Sequence, residues 1–222
     1  DNDTYQWNAG ETAYETIWDA GGIDTIDASN QAQLVILNLN PGTWSSIGVA
    51  FWNGQSYVRN CLTIAYGATI ENANGSTYGD FLYGNSANNT LKGNAGNDKL
   101  FGELGNDILN GGTGADTMSG GDGSDVYYID NALDIVTETN ATADTGGTDM
   151  VCSYLSSYIM GANVENGRIL ATGVANLVGN SLNNLLYAGA GNNVINGGSG
   201  TDTSSYSYAS SAVTISLAVT AA

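Results

Sequence analysis

Gly93-Asn94-Ala95-Gly96-Asn97-Asp98-Lys99-Leu100-Phe101, followed without a gap by Gly102-Glu103-Leu104-Gly105-Asn106-Asp107-Ile108-Leu109-Asn110, is the stretch that decides the fold. Gly111 to Ser119 and Gly120 to Tyr128 repeat its pattern: glycine first, glycine fourth, aspartate sixth, an apolar residue eighth. Extended backward, the same phase takes in Gly75 to Tyr83 and Gly84 to Lys92, so six units run from Gly75 to Tyr128. A glycine-rich stretch of random order would not hold glycine, aspartate and a hydrophobe in one phase. A nine-residue period of this kind predicts a parallel β-helical stack, in which each unit is one strand and one turn.

The eighth positions are Leu82, Leu91, Leu100, Leu109, Met118 and Tyr127. One large apolar side chain per unit fills a narrow core between two thin sheets, and no unit buries it alone, so the units must stack. Glycine admits the turn conformations that other residues resist. In such turns backbone carbonyls converge with the carboxylates of Asp80, Asp98, Asp107, Asp116 and Asp125. Oxygen-only ligand sets suit Ca²⁺, a hard cation that takes about 6–8 oxygens in irregular geometry. Two units depart from the pattern. Tyr78 stands where the first unit needs its second glycine, and the next unit has Ala87 and Asn89 in place of glycine and aspartate. Asparagine offers an oxygen without charge, so a site using Asn89 is expected to be weak and Asn89→Ala to matter little.

With these units, the chain resembles the RTX (hemolysin-type, repeats-in-toxin) β-roll, specifically the C-terminal domain of serralysin-type secreted metalloproteases. The serralysin likeness rests on Trp18-Asp19-Ala20-Gly21-Gly22-Ile23-Asp24-Thr25-Ile26-Asp27 and Ile64-Ala65-Tyr66-Gly67-Ala68-Thr69-Ile70-Glu71-Asn72, which are similar to that family's lead-in to its roll. The resemblance implies ions between turns two units apart, held by positions two, four and six of one unit and one, three and six of the second next. On this chain that gives Asn94, Gly96 and Asp98 with Gly111, Thr113 and Asp116. It also gives Glu103, Gly105 and Asp107 with Gly120, Asp122 and Asp125, then Gly112, Gly114 and Asp116 with Ile129, Asn131 and Asp134. The lead-in likeness implies one ion on Asp19, Gly21 and Asp24, with carbonyls near Asn2 and Thr4, and another on Gly22, Asp24, Thr69 and Glu71.

The first half of the chain has a weaker echo in the second. Asp3-Thr4-Tyr5 returns as Asp125-Val126-Tyr127, and Gly21 to Ile26 as Gly146 to Val151. Ile70-Glu71-Asn72 returns as Val164-Glu165-Asn166, and Gly84 to Asn89 as Gly179 to Asn184. The expected organisation is therefore an internally duplicated, all-β chain. Residues 1–74 form a β-rich lead segment with calcium sites, and 75–128 the six-unit roll. Residues 129–178 form a second lead segment, and 179–222 a short second roll ending in a strand at Val213 to Leu217. The second lead keeps Asp144, Gly146, Gly147, Asp149 and Glu165, with Asp122 and Ser124 placed to supply carbonyls beside Asp144. In the second roll the sixth positions are Asn184, Asn193 and Asp202, so one ion near Asp202 is the expectation there.

Composition narrows the function. The 222 residues carry 22 acidic and 4 basic side chains, a net charge of −18. Arg59, Lys92, Lys99 and Arg168 cannot form a basic patch, which excludes nucleic-acid binding. About six to eight divalent ions would offset most of the imbalance, so the charge reads as cation demand. Histidine is absent, which excludes a His-Glu-x-x-His zinc centre and a histidine-dependent triad within this chain. No apolar run approaches membrane-spanning length. The opening residues do not read as a cleavable leader, and the resemblance leads to the expectation of export through a type I secretion channel by an uncleaved C-terminal signal. Cys61 and Cys152 read as partly buried small residues, a disulfide being the alternative in a secreted chain. Trp7, Trp18, Trp44 and Trp52 read as core or edge packing rather than a sugar platform. The expected function is a non-catalytic, extracellular calcium-binding module that folds on ion binding, with an upstream protease domain as its implied partner. A calcium-dependent glycan- or surface-binding module of adhesin or epimerase type is the alternative.

Overall fold

The structure is a computed structural model that describes residues 1–52, 54–139 and 146–209, and leaves the side chains of 51, 52 and 57–60 undescribed. The expected strand at Val213 to Leu217 and the candidate ligand Asp144 lie outside the described residues. Among those described there is no helix. Short strands, mostly of three or four residues, stack in parallel into a solenoid.

The nine-residue phase appears directly in the strand register. Successive units alternate between two sheets, so each strand pairs with the strand 18 residues away. Phe81–Tyr83 pairs with Lys99–Leu104, which pairs with Thr117–Asp122 and then with Ile135–Thr137. On the opposite sheet Thr90–Lys92 pairs with Ile108–Asn110, and that with Val126–Ile129. This second sheet is continuous: ten strands run from Thr4–Gln6 to Thr203–Ser205. The facing side is in two pieces, one of eight strands ending at Ile135–Thr137 and one of three strands beginning at Ser157–Ile159.

All six eighth-position side chains, from Leu82 to Tyr127, are fully buried. They form one line between the sheets and continue into Ile26, Leu37 and Ile70 on one side and Val151, Val164 and Leu186 on the other. The turns follow the glycine pattern as closely. Positive φ occurs at Asn94, Gly96, Glu103, Gly105, Gly112, Gly114, Gly121 and Gly123, the second and fourth positions of the four best units. The two departing units do not use it, because Tyr78 and Ala87 would be strained there. Their turns close instead on side chains: Ser76 Oγ accepts from the Tyr78 N–H at 3.1 Å, and Asn85 Oδ1 from the Ala87 N–H at 2.8 Å.

Several hydrogen bonds of the first half recur at the echoed positions of the second. The Asp24 N–H donates to Glu71 Oε2 at 2.8 Å, as the Asp149 N–H does to Glu165 Oε2 at 2.8 Å. Asn85 Nδ2 donates to the Ile70 carbonyl and Asn180 Nδ2 to the Val164 carbonyl, both at 2.8 Å. One element has no counterpart: Trp44–Trp52 and Tyr57–Ile64 form an antiparallel hairpin whose second strand pairs in parallel with Glu15–Ile17. Cys61 and Cys152 are both buried free thiols, so the disulfide alternative does not apply. Two of the tryptophans correct the packing expectation. Trp18 and Trp44 stand 76 % and 56 % exposed, whereas Trp7 packs against the core.

Candidate metal centre

The sixth-position side chains lie on the inner side of the turns, and all six are buried. Each aspartate among them accepts, through one oxygen, a backbone N–H from the chain stacked before it. Asp98 Oδ1 accepts from the Asp80 N–H at 2.6 Å, Asp116 Oδ1 from Asp98 at 2.8 Å and Asp134 Oδ1 from Asp116 at 3.0 Å. On the other flank, Asp107 Oδ1 accepts from Asn89, Asp125 Oδ1 from Asp107 and Asp149 Oδ1 from Asp125, at 2.7, 2.7 and 2.8 Å. Two carboxylate ladders therefore run along the solenoid, one beside each sheet.

The second oxygens decide what the ladders are for. Oδ2 of Asp98, Asp107, Asp116 and Asp125, and of Asp24 in the lead segment, is buried without a hydrogen-bond partner. A buried anionic oxygen left unpaired is strongly unfavourable, so such atoms imply a ligand or a proton. Their acidities respond accordingly. Burial, above all, pushes Asp98 and Asp107 up to about 7, with neighbouring carboxylates adding to the effect, and burial pushes Asp116 and Asp125 up to about 6. The first-position glycines leave this space open. A Cβ at Gly93, Gly102 or Gly111 would lie 2.2 Å from Oδ2 of Asp98, Asp107 or Asp116 respectively.

Where asparagine replaces aspartate, the space is occupied by the protein itself. Asn89 Oδ1 accepts from the Asn85 N–H, and its Nδ2 donates to the Glu71 carbonyl at 3.0 Å and to Asn85 Oδ1 at 3.2 Å. Asn184 repeats this with Asn180, Val164 and Glu165. An amide nitrogen thus does at these positions what a cation would do at the aspartates. Asn89→Ala would strand several buried partners, which alters the expectation that it matters little. Asp80 is likewise committed to protein donors, namely the Val35 N–H, the Ser76 N–H and the Ser76 hydroxyl.

The structure places residues of the first two sets implied by the resemblance beside one another. The Thr113 N–H donates to the Asn94 carbonyl at 2.8 Å and the Gly96 N–H to the Thr113 carbonyl at 2.9 Å, beside Asp98 and Asp116. Glu103 lies opposite Gly121, and the Gly105 N–H donates to the Asp122 carbonyl at 2.9 Å, beside Asp107 and Asp125. The Gly112, Gly114 and Asp116 set meets a different turn. Asp134 Oδ2 already accepts the Asp130 and Asn131 N–H groups at 3.2 and 3.0 Å. In the lead segment, Gly21 N–H donates to Asp19 Oδ2 at 2.7 Å, and Gly22 lies against the Asp1 carbonyl. Thr69 is exposed two residues before Glu71. Of the second-lead residues, Gly146 is buried, and Gly147 packs on Gly123 with φ of 72°. Asp202 Oδ1 accepts from the Asn184 N–H at 2.9 Å.

Two three-carboxylate clusters add residues that the repeat phase does not single out. Asp3 joins Asp19 and Asp24, and Glu138 joins Asp125 and Asp149, each set presenting oxygens within 4.8 Å of one another. Glu138 is buried, accepts from the Tyr127 hydroxyl through Oε1, and leaves Oε2 unpartnered. Burial, with Asp149, Asp125 and Glu165 adding to it, pushes its carboxyl up to about 9.

Comparison with known proteins agrees with this chemistry. The profile of the RTX calcium-binding nonapeptide repeat matches in four copies over residues 74–109, 101–131 and 174–204. A serralysin of Photorhabdus laumondii is 47 % identical over 75 residues, 34 % of this chain and 14 % of that protein. The metallopeptidase AprA of Pseudomonas marginalis is 39 % identical over 74 residues, 33 % of this chain and 14 % of its own length. Serralysin B of Dickeya chrysanthemi is 41 % identical over 75 residues, again 34 % and 14 %. The chain thus matches about one seventh of the length of these relatives, in the repeat region. It carries RTX calcium-binding repeats folded as a β-roll that resembles the C-terminal region of serralysins. Among the described residues, no helix is long and apolar enough to cross a membrane.

Proposed function

We propose that this chain is a non-catalytic, calcium-dependent RTX module of a secreted bacterial protein, supporting a serralysin-like metalloprotease or a related RTX protein, and that it folds when calcium binds. The observation that carries this reading is the row of buried, unpartnered Oδ2 atoms on Asp98, Asp107, Asp116 and Asp125. Donors of this type, one carboxylate oxygen per turn beside backbone carbonyls, fit a hard divalent cation and not a zinc or copper ion, which prefers nitrogen or sulfur.

The residues would act as follows. Asp98 with Asp116, and Asp107 with Asp125, would each hold an ion between stacked turns, aided by the carbonyls of Asn94, Gly96, Gly111 and Thr113 in the first case and of Glu103, Gly105, Gly120 and Asp122 in the second. Asp19, Gly21 and Asp24, and Gly22, Asp24, Thr69 and Glu71, would serve the lead segment. Calcium supplies positive charge and oxygen coordination there. Without it, the chain holds like charges in close burial, which favours an open chain suited to export. Outside a cell, at roughly millimolar calcium, weak extracellular-type sites fill. Because the ligands converge only in the roll, binding free energy becomes folding free energy.

Far-ultraviolet circular dichroism in excess chelator and after calcium addition tests this. The expected result is a β signal that appears with calcium; an unchanged signal in chelator would sink the proposal. A second reading, calcium-dependent binding of a glycan or surface ligand, is favoured by the exposure of Trp18 and Trp44. Trp44 shares a cross-strand row with Thr63 and Thr16, two residues from Trp18. Quenching of tryptophan fluorescence by oligosaccharides, present only with calcium, would support that reading, and its absence across a glycan panel would remove it.

A further inference from the structure

We propose that Asp125, Glu138 and Asp149 form an additional cation site at the junction between the six-unit roll and the second lead segment, binding a hard divalent ion such as Ca²⁺ through three side-chain carboxylates. The inference rests on the calcium reading above and adds to it a residue, Glu138, that the nonapeptide pattern does not assign.

Register shows how Glu138 reaches the site. Ser119 pairs with Thr137, so Glu138 lies beside Gly120. At Gly120 the inward direction is closed: a Cβ would come within 2.0 Å of Asp125 Oδ2 and 2.2 Å of the Tyr127 hydroxyl. One strand further along, the same inward direction carries a glutamate side chain. Strand alternation agrees, since Val136 packs on the core and Glu138, two residues later, is buried on the same face. A carboxylate therefore stands where the regular units offer only a glycine.

A cluster of acids alone would not make a site. Here two of the three are more than nine-tenths buried and keep an oxygen without any partner: Asp125 Oδ2 and Glu138 Oε2. Their other oxygens are fixed by the Asp107 N–H and the Tyr127 hydroxyl, and Asp149 is held by the Asp125 N–H. The three groups are thus oriented before an ion arrives. The internal repeat supplies an independent parallel. Asp3 and Asp24 are linked by an N–H to Oδ1 bond of 2.6 Å, as Asp125 and Asp149 are at 2.8 Å. Each pair gathers a third carboxylate, Asp19 in the first copy and Glu138 in the second. The third acid comes from a different place in the sequence in each copy.

Native mass spectrometry and calorimetric titration of the whole chain with Ca²⁺ test the assignment, using Glu138→Gln, Glu138→Asp and Tyr127→Phe. Glu138→Gln is expected to bind about one ion fewer, or to weaken the tightest binding step by about tenfold or more, since calcium affinity follows ligand charge count. Glu138→Asp, which keeps the charge, should retain the ion at reduced affinity. Tyr127→Phe should keep the ion at somewhat reduced affinity, because the hydroxyl orients Glu138 and accepts the Gly120 N–H but is not itself a ligand. If the wild-type chain binds several ions and Glu138→Gln binds the same number with the same affinities, this site is wrong while the calcium reading stands. A loss of the ion in Tyr127→Phe equal to that in Glu138→Gln also overturns it, because packing and not coordination would explain both. If the wild-type chain binds no calcium, both readings fall.

Discussion

Replacing Asp116 with asparagine exchanges one carboxylate oxygen for an amide nitrogen and leaves the shape almost unchanged. Oδ1 still accepts the Asp98 N–H, now 2.8 Å away, so no buried donor is stranded. What disappears is the charge on Oδ2, which has no partner in the protein. Asp116 faces Asp98 in the ladder, so the ion proposed between them loses a charged ligand. At about 10 mM calcium, a site with a dissociation constant of roughly 0.3 mM stabilises the fold by about 2 kcal/mol. Losing that contribution, for a chain of this size, lowers Tm by about 4–8 °C. In chelator the sign reverses or vanishes, because a buried unpaired carboxylate has been removed. Thermal unfolding followed by circular dichroism, in 10 mM calcium and in excess chelator, reads both arms. An equal loss of Tm in the two conditions would refute the reasoning, since the role of Asp116 would then be packing alone.

Other expectations follow from the same geometry. Asn89→Asp should weaken the fold in chelator, because the Nδ2 bonds to Glu71 and Asn85 are lost, and calcium should restore part of the loss; calorimetry should then count an added ion. Gly114→Ala should prevent assembly with or without calcium, since its Cβ would lie 1.5 Å from the Gly96 carbonyl oxygen, and limited proteolysis would show it. Acidification should act oppositely in the two states. The calcium-free fold gains stability as pH falls, because Asp98, Asp107, Asp116, Asp125 and Asp149 titrate at about 6 to 7 in the fold and near 4 when unfolded. That contribution is fully present below about pH 4 and is lost as pH rises through about 7. The calcium-loaded form should instead release ions over the same range, and parallel circular dichroism titrations would show the two trends crossing.

Much of this was legible in the sequence because a nine-residue stack maps position directly onto environment. The eighth residues had to be the core and the sixth the inner face of the turns, and Leu82 to Tyr127 and Asp98 to Asp125 stand there. The failure of Tyr78 and Ala87 to take the glycine turn was equally legible, because only glycine adopts that conformation without strain. Glu138 was harder to see. Counting nines past Tyr128 lands on Ile129 and then Glu138, both first positions, but neither is glycine, so the visible pattern ends before the register does. Asn89 and Asn184 misled for a different reason. Their weakness as calcium ligands follows from charge, while their amide hydrogen bonds depend on carbonyl directions that only the folded turn sets. The hairpin of Trp44–Trp52 and Tyr57–Ile64 has no repeat phase. The exposure of Trp18 and Trp44 depends on which face of a thin sheet is left uncovered, which composition cannot say.

The central claim is that ion binding and folding are one process, and the dependence of stability on calcium concentration tests it most directly. Denaturant unfolding of the whole chain should be measured across calcium concentrations from micromolar to about 10 mM. Above its dissociation constant, each ion bound only by the folded state adds about 1.4 kcal/mol per tenfold rise in calcium. A slope several times that value, falling by about one ion in Asp116→Asn, is the predicted result. An unfolding free energy that does not change with calcium would contradict the account.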